Sequence, residues 1–333
     1  MASSEQRGDR RAALVTGSHG LSGRAVYEHL HGRPGWEVIG ASRRAEPPVA
    51  DAPHIAVNLA DRAATRDALA GCGASHLFFG AYIADHDLAR EAEVNRGILV
   101  NTLDALAAAR APLRHVVIFH GAKAYGAHLG PFPTPATESA PAVPGPLLYH
   151  DQEQVLREYG QRLGFTWTVL RPDCICGPAL GSPINLLLGV AVLAALARER
   201  GEPLCFPGTA TSARSLIQVT DTRLLGRAAE WAAMSPAARD EIFNVTNGDV
   251  FRWEHMWPLI ADAFGVPAGH IAPARLAEVM PRRETYILPI TSDMGLFAHI
   301  SDCRMLGGRF RHSWCCDSSE ERGNGRGAYP AMP

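Results

Sequence analysis

Lysine is all but missing from this chain. Of its 32 basic residues, Lys123 is the single lysine and every other one is arginine. On a solvated surface the two cations replace each other freely, so the skew is a bias toward arginine. Either one lysine fell at 123 by chance, or that position needs a compact ammonium rather than a planar guanidinium. Excess charge is missing as well. A net charge of −2 excludes a bulk electrostatic pull toward nucleic acid or an anionic membrane. No apolar run has the ~20 residues that span a bilayer. The longest, INLLLGVAVLAALA (184–197), reads as a buried helix. The opening MASSEQRGDRRA lacks the apolar stretch of a signal peptide. The 7 cysteines show no metal-type spacing: Cys174 and Cys176 flank one residue of a strand, and Cys315 and Cys316 are adjacent. An odd, scattered set reads as reduced thiols of a cytoplasmic protein. The 14 histidines offer no helical H-x-x-x-H or H-E-x-x-H pair, so no metal is expected.

What is present is an alternation. AALVTG (12–17), WEVIGAS (36–42), HIAVNL (54–59), SHLFFGAY (75–82), HVVIFHG (115–121) and TWTVLRP (166–172) are short apolar runs. Ala-, Leu- and charge-rich segments with helical spacing separate them, such as NRGILVNTLDALAAAR (95–110). Continuous apolar strands alternating with helices imply a parallel sheet covered on both faces. EIFNVTN (241–247) reads as one more strand returning to that sheet. Segments 178–217 and 250–290 break the alternation. They are expected to form a smaller lobe beyond the sheet's C-terminal edge. Six prolines between Pro131 and Pro146 exclude regular structure there and suit a loop that walls a pocket.

VTGSHGLSGRAVYEHL sets Gly17, Gly20 and Gly23 at the first strand-to-helix turn. The first glycine permits the tight turn, the second lets a pyrophosphate approach the backbone, and the third lets helix and strand pack closely. The helix amides then face the phosphate charge. The second strand ends in Ser42, Arg43 and Arg44, where an NAD site carries an acidic residue for the ribose hydroxyl. Arginine forks match a 2′-phosphate, which favours NADP(H). Asn58 and Leu59, ending the third strand, are candidate adenine contacts.

The sheet and glycine loop resemble those of extended short-chain dehydrogenase/reductases, a group that usually carries Tyr-x-x-x-Lys. Here Tyr149 in LLYHDQEQVL has Glu153 in the lysine position, and a carboxylate one turn away is expected to raise the phenol's pKa. Lys123 follows the fifth strand, at the edge where such sheets bind ligands. Tyr149 opens the next helix, so the ammonium would have moved from helix to loop.

These segments resemble the progesterone 5β-reductase/iridoid synthase-like reductases, a divergent group of the extended short-chain dehydrogenase/reductases (the NAD-dependent epimerase/dehydratase superfamily). The resemblance runs from about residue 12 to 295. It rests on FHGAKAYGAHLGPF, LLYHDQE, TWTVLRPDCICGPALGSPINL, LCFPGT and FNVTNGDVFRWEHMWPLIADAFG. It implies NADPH-dependent reduction of the C=C bond of an α,β-unsaturated carbonyl, with Lys123 and Tyr149 as the catalytic pair. It also implies cofactor contacts from Leu21, Ala81, Pro172 and Ile175, with Lys123 and Tyr149 themselves beside the cofactor. His120, Leu148 and His150 depart from the group's pattern around the pair.

The expected fold is therefore an α/β, Rossmann-type doubly wound parallel sheet with a smaller C-terminal substrate lobe. Residues 11–177, with 218–248 returning, would form the NADP-binding domain. Residues 178–217 and 249–300 would form the lobe, and 301–333 a divergent tail, a candidate for disorder. Asn185, in SPINL, reads either as a substrate-facing residue, as the resemblance implies, or as a helix N-cap; Asp221 reads as a helix N-cap, Trp253 and Trp257 as lobe core, and ADHDLAREAE (84–93) as a solvated helix start. The expected partner is a small α,β-unsaturated carbonyl compound, with a homodimer as a candidate assembly. The competing readings are a carbonyl reductase or sugar-nucleotide epimerase, and a non-catalytic NADP-binding regulator.

Overall fold

A computed structural model describes residues 11–179 and 185–274. The far end of the expected lobe and the tail from 301 lie outside the described residues. In chain order the first half runs β1 (Arg11–Thr16), α1 (Leu21–Leu30), β2 (Trp36–Ser42), β3 (His54–Ala56), α2 (Arg62–Ala68), β4 (His76–Phe79), α3 (Leu88–Ala108), β5 (His115–Phe119), α4 (Leu148–Leu163) and β6 (Thr166–Pro172). The second half runs β7 (Ile175–Cys176), α5 (Leu186–Arg200), β8 (Leu204–Phe206), α6 (Ala210–Arg214), β9 (Leu216–Ile217), β10 (Thr220–Asp221), α7 (Thr222–Met234), β11 (Glu241–Val245), β12 (Phe251–Arg252), α8 (Trp253–Ala263) and β13 (Ala268–Ile271).

Seven strands form one sheet in the order β11-β6-β5-β4-β1-β2-β3. Every pairing in it is parallel. The central strands β1, β4, β5 and β6 are buried on both sides, which is why they read as unbroken apolar runs. Alternate side chains serve opposite faces. Ala13, Val15, Phe78 and Val117 pack with Val26, Tyr27 and Leu30 of α1 and Leu225 and Ala229 of α7. Leu14, Leu77, Phe79, Val116 and Ile118 pack with Leu99, Leu103 and Leu106 of α3 and Val155 and Leu156 of α4. The sheet is thus wound on both faces, and the carboxyl ends of all its strands meet at one edge.

A third cluster lies apart from the sheet. Leu186, Val190 and Leu196 of α5, Leu204 and Phe206 of β8, and Trp253 and Trp257 of α8 share it. The Trp257 indole donates to the Leu204 carbonyl over 2.9 Å, and both tryptophans are buried in this core. Small pairings, β9 with β12 and β8 with β13, complete this region. Asn185 caps α5 by accepting from Leu188 N, and Asp221 caps α7 by accepting from Arg223 N.

Candidate active site

Gly17, Ser42, Asn58, Ala81, Lys123 and Pro172 stand at the carboxyl ends of β1 through β6, so the parallel topology brings them to one edge. Gly17 has φ +64°, and a Cβ there would lie 2.3 Å from the Gly80 carbonyl oxygen beyond β4. A Cβ on Gly23 would lie 2.3 Å from the Gly17 oxygen, which is the close helix–strand contact expected of the third glycine. A Cβ on Gly20 meets only one atom, the Gly17 oxygen at 3.2 Å, and otherwise faces open space. Gly20 is the N-cap of α1, no side chain caps that end, and its first turn holds no acidic residue. The buried Ser18 hydroxyl in this loop has no hydrogen-bond partner among the described residues. An uncapped, electropositive helix end beside an open glycine and an orphaned hydroxyl fits a phosphate group. Leu21 is buried in the first turn.

At the end of β2 the Ser42 hydroxyl accepts from the Arg44 backbone N–H at 3.2 Å and lies 2.8 Å from His19 Nδ1. His54 Nε2 sits 3.0 Å from the Arg44 carbonyl oxygen, so this nitrogen carries the proton. The His19 and His54 rings meet edge to face at 5.3 Å. Burial, then the charges of Arg44, His54 and Arg24, push His19 down to about 4. Arg43 is exposed beside this cluster. The side chains around Ser42 therefore include His19, Arg24 and His54, none of which the sequence singled out. His19 lies inside the glycine loop itself, and that position was the available signal. At the end of β3, Leu59 is buried and Asn58 is exposed. Asn101 of α3 donates to the Leu59 carbonyl and holds that turn at 3.0 Å.

Lys123 lies in a 3-10 turn, Ala122–Tyr125, directly after β5. Tyr149 lies in the first turn of α4. A Cβ on Gly121 would come within 3.3 Å of the Tyr149 hydroxyl and 3.5 Å of the Pro172 carbonyl oxygen. The phenol therefore sits over the end of β5, two residues from Lys123. Its ring stacks on His120 at 4.3 Å and 16°. No described residue hydrogen-bonds its hydroxyl. Burial pushes the phenol well above the usual range, the Glu91 carboxylate pushes it further, and Arg171 opposes them. Ile175, paired with Thr220, follows β6 along the same edge.

Two expectations change here. The carboxylate acting on Tyr149 is Glu91, not Glu153. Arg171 of β6 donates to Glu153 at 2.9 Å, and His120 Nδ1 lies 3.4 Å from the same oxygen. Burial alone would raise Glu153, but its contacts with His120 and Arg171 outweigh burial and hold it at about 2. Segment 84–93 does begin a helix capped by Asp87, yet it is not solvated throughout. Glu91 is 2% exposed. It accepts from the Tyr82 hydroxyl and, at 3.4 Å, from Lys123 Nζ. One turn later Asn95 bonds both the N–H and the C=O of Ile83, fixing the loop that carries Ala81 and Tyr82. Leu148 is buried behind Tyr149, and His150 is partly exposed.

The proline-rich loop is fastened to β11. Asn244 N–H donates to Glu138 at 2.8 Å, and its amide donates to the Ala136 carbonyl at 3.1 Å. Tyr125, from the Lys123 turn, donates to Asn244 at 2.5 Å. Among the described residues no helix is long and apolar enough to cross a membrane, and no group of three or more His, Cys, Asp or Glu could hold a metal.

Strand order, glycine turn and carboxyl-edge cluster together define a Rossmann-fold protein. In fold the chain is similar to UDP-glucose 4-epimerase of Thermus thermophilus in complex with NAD, with TM-score 0.64 and 24% identity over 79% of this chain and 87% of that one. The chain belongs to the PRISE-like Rossmann-fold domain family, which it matches over residues 59–287. A 3-oxo-Delta(4,5)-steroid 5-beta-reductase of Arabidopsis thaliana is 32% identical over 271 residues, 76% of this chain and 69% of that one. An (S)-8-oxocitronellyl enol synthase of Nepeta racemosa is 32% identical over 302 residues, 85% of this chain and 76% of that one.

Proposed function

We propose that the chain is an oxidoreductase that uses NADPH to reduce the C=C bond of α,β-unsaturated carbonyl compounds. The steroid reductase relative supports a reductase. The observation that carries the reading is the Tyr149 hydroxyl, set over Gly121 at the sheet edge, kept neutral by burial and Glu91, and unclaimed by any described residue. Gly17, Gly20, Leu21 and Gly23 would hold the pyrophosphate. Ser42, Arg43 and Arg44 would hold the 2′-phosphate, and Asn58 and Leu59 the adenine edge. Ala81, Pro172 and Ile175 would line the nicotinamide end. The substrate would lie between this edge and the lobe of 178–217 and the segment from 249.

When bound, the nicotinamide cofactor supplies a hydride equivalent to the β-carbon of the enone. The C=C electron pair then moves toward the carbonyl, and negative charge grows on its oxygen. A fixed donor aimed at that oxygen lowers the barrier. Tyr149 is such a donor, and a phenol held neutral keeps its proton for that hydrogen bond. Lys123 adds positive potential at the same edge and would stand beside the cofactor. The α-carbon takes its proton from water, which leaves a saturated carbonyl. Glu153 is claimed by Arg171 and no lysine follows Tyr149 on its helix, which fits 1,4- over 1,2-reduction.

Replacing Tyr149 with phenylalanine tests this. Tyr149→Phe should lower turnover of a responsive enone by roughly 10²–10³ and leave NADPH affinity within about twofold. The wild-type product should be a saturated carbonyl. An allylic alcohol, or full activity in the variant, overturns the reading.

A further inference from the structure

We propose that Glu91 is a positioning residue of this site: its buried carboxylate, anchored by the Tyr82 hydroxyl, holds the Lys123 ammonium at the carboxyl edge of β5. The effect on turnover rests on the reductase reading above; the placement of Lys123 does not.

The two oxygens of Glu91 take separate partners. Tyr82 donates to Oε1, and Lys123 donates to Oε2 at 3.4 Å. A carboxylate this buried must be compensated by donors, and these two supply them. Its base is rigid. Asp87 caps α3 by accepting from Ala89 and Arg90, and the Asn95 amide donates to the Glu91 carbonyl at 2.7 Å. Asn95 also fixes Ile83, so Tyr82 and Glu91 are held from both sides. Capping is already performed by Asp87, so the helix does not need the Glu91 side chain for its start. Lysine, by contrast, carries its charge on four flexible methylenes and would not hold one position alone. Tying one N–H to Glu91 fixes the stem and leaves the other donors of the ammonium for the site. A guanidinium fork at this distance would engage the carboxylate with two donors and extend past it. This accounts for a lysine at 123 in a chain that otherwise uses arginine.

The single lysine makes the test direct. An amine-reactive reagent, read by peptide mass spectrometry, reports Lys123 separately from the N-terminal amine. Glu91→Gln keeps the side chain's shape and an acceptor for Tyr82 but removes the charge. Lys123 should then label roughly fivefold faster in the folded protein, the scale of a lost half-buried ion pair. Tyr82→Phe, at a residue 39% exposed, loosens the anchor alone and should give a smaller rise, roughly twofold. It also covers the case in which Glu91→Gln does not fold. Urea-unfolded wild type should label faster than native. If neither variant changes the native rate, or native and unfolded chains label alike, the proposal fails. Glu91→Gln should also lower kcat on a responsive enone roughly tenfold, as loss of alignment does, with KM for NADPH within about twofold. A labelling shift in a chain that reduces no enone would keep the positioning role and reject the reductase reading.

Discussion

Arg171 on β6 and Glu153 on α4 form an ion pair at 2.9 Å, with both side chains largely out of water. The pair ties the helix that opens with Tyr149 to the strand beneath it. The Arg171 guanidinium also lies 5.1 Å from the Tyr125 ring, which anchors the Lys123 turn through Asn244. One arginine thus braces both halves of the candidate site. Arg171→Met should leave a buried carboxylate uncompensated and cost on the order of 3–5 kcal/mol. Adding Glu153→Gln should recover much of that loss. Urea unfolding of the two single variants and the double variant measures the coupling. Strictly additive losses would show that the pair does not act as a unit.

Cofactor choice follows from the end of β2. Ser42, Arg44 and His19 surround the position where an acidic residue would bind a free ribose hydroxyl. A charge-assisted phosphate contact is worth about 1.5–3 kcal/mol. NADPH should therefore bind at least about tenfold more tightly than NADH. Arg44→Ala should remove most of that advantage and leave NADH nearly unchanged. Fluorescence titration of both cofactors decides it, and equal affinities in the wild type would end the argument.

The glycines of the first turn should separate by role. In Gly23→Ala the new Cβ meets backbone at 2.3, 2.6 and 2.9 Å, and backbone cannot rotate aside. It should destabilise the fold by about 1–3 kcal/mol, the usual scale of overpacking. In Gly20→Ala the new Cβ has one neighbour at 3.2 Å, so the fold should hold while NADPH affinity falls. Thermal melts beside cofactor titrations distinguish the two. If Gly20→Ala binds NADPH normally, the pyrophosphate does not approach the backbone there.

What could be read from the sequence was local. Each sheet strand is a short apolar run, and the glycine turn is a spacing of three within one loop. Asp221 was recognisable as a cap because a cap needs only its own helix start. Glu91, His19 and Arg171 were not recognisable. Glu91 meets Lys123 from 32 residues away, and whether it faces solvent or β5 depends on how α3 rotates against the sheet. His19 meets Ser42 across 23 residues, through the parallel pairing of β1 with β2. The sequence placed Glu153 beside Tyr149 on helical spacing alone. The arginine that claims it comes from a strand, and no helical rule reaches a strand.

The amino edge of the sheet yields a prediction about pH. His115 opens β5 with its ring between Thr166 and Thr168 of β6. Thr168 donates its proton to the Ala238 carbonyl at 2.5 Å, so it accepts from His115 Nε2–H. Nδ1 then accepts from Thr166 at 2.7 Å, and the neutral ring is fully satisfied. Burial, and then the nearby charges of His76 and Arg239, push His115 down to about 4 from 6.5. The folded value lies below the unfolded one, so the folded state favours the neutral ring. Its contribution is complete above pH 6.5 and is lost as pH falls from there toward 4. At pH 4.5 the loss should be about 2–3 kcal/mol. Other buried histidines, His120 among them, add to the wild-type acid sensitivity, so a difference measurement is needed. His115→Gln keeps a donor for Thr168 but does not titrate. Urea unfolding at pH 7.5, 5.5 and 4.5 should show wild type more stable than His115→Gln at 7.5. The gap should close, and then reverse or vanish, toward 4.5. A gap constant across the three pH values would mean that His115 protonates as readily in the folded protein as in the unfolded chain.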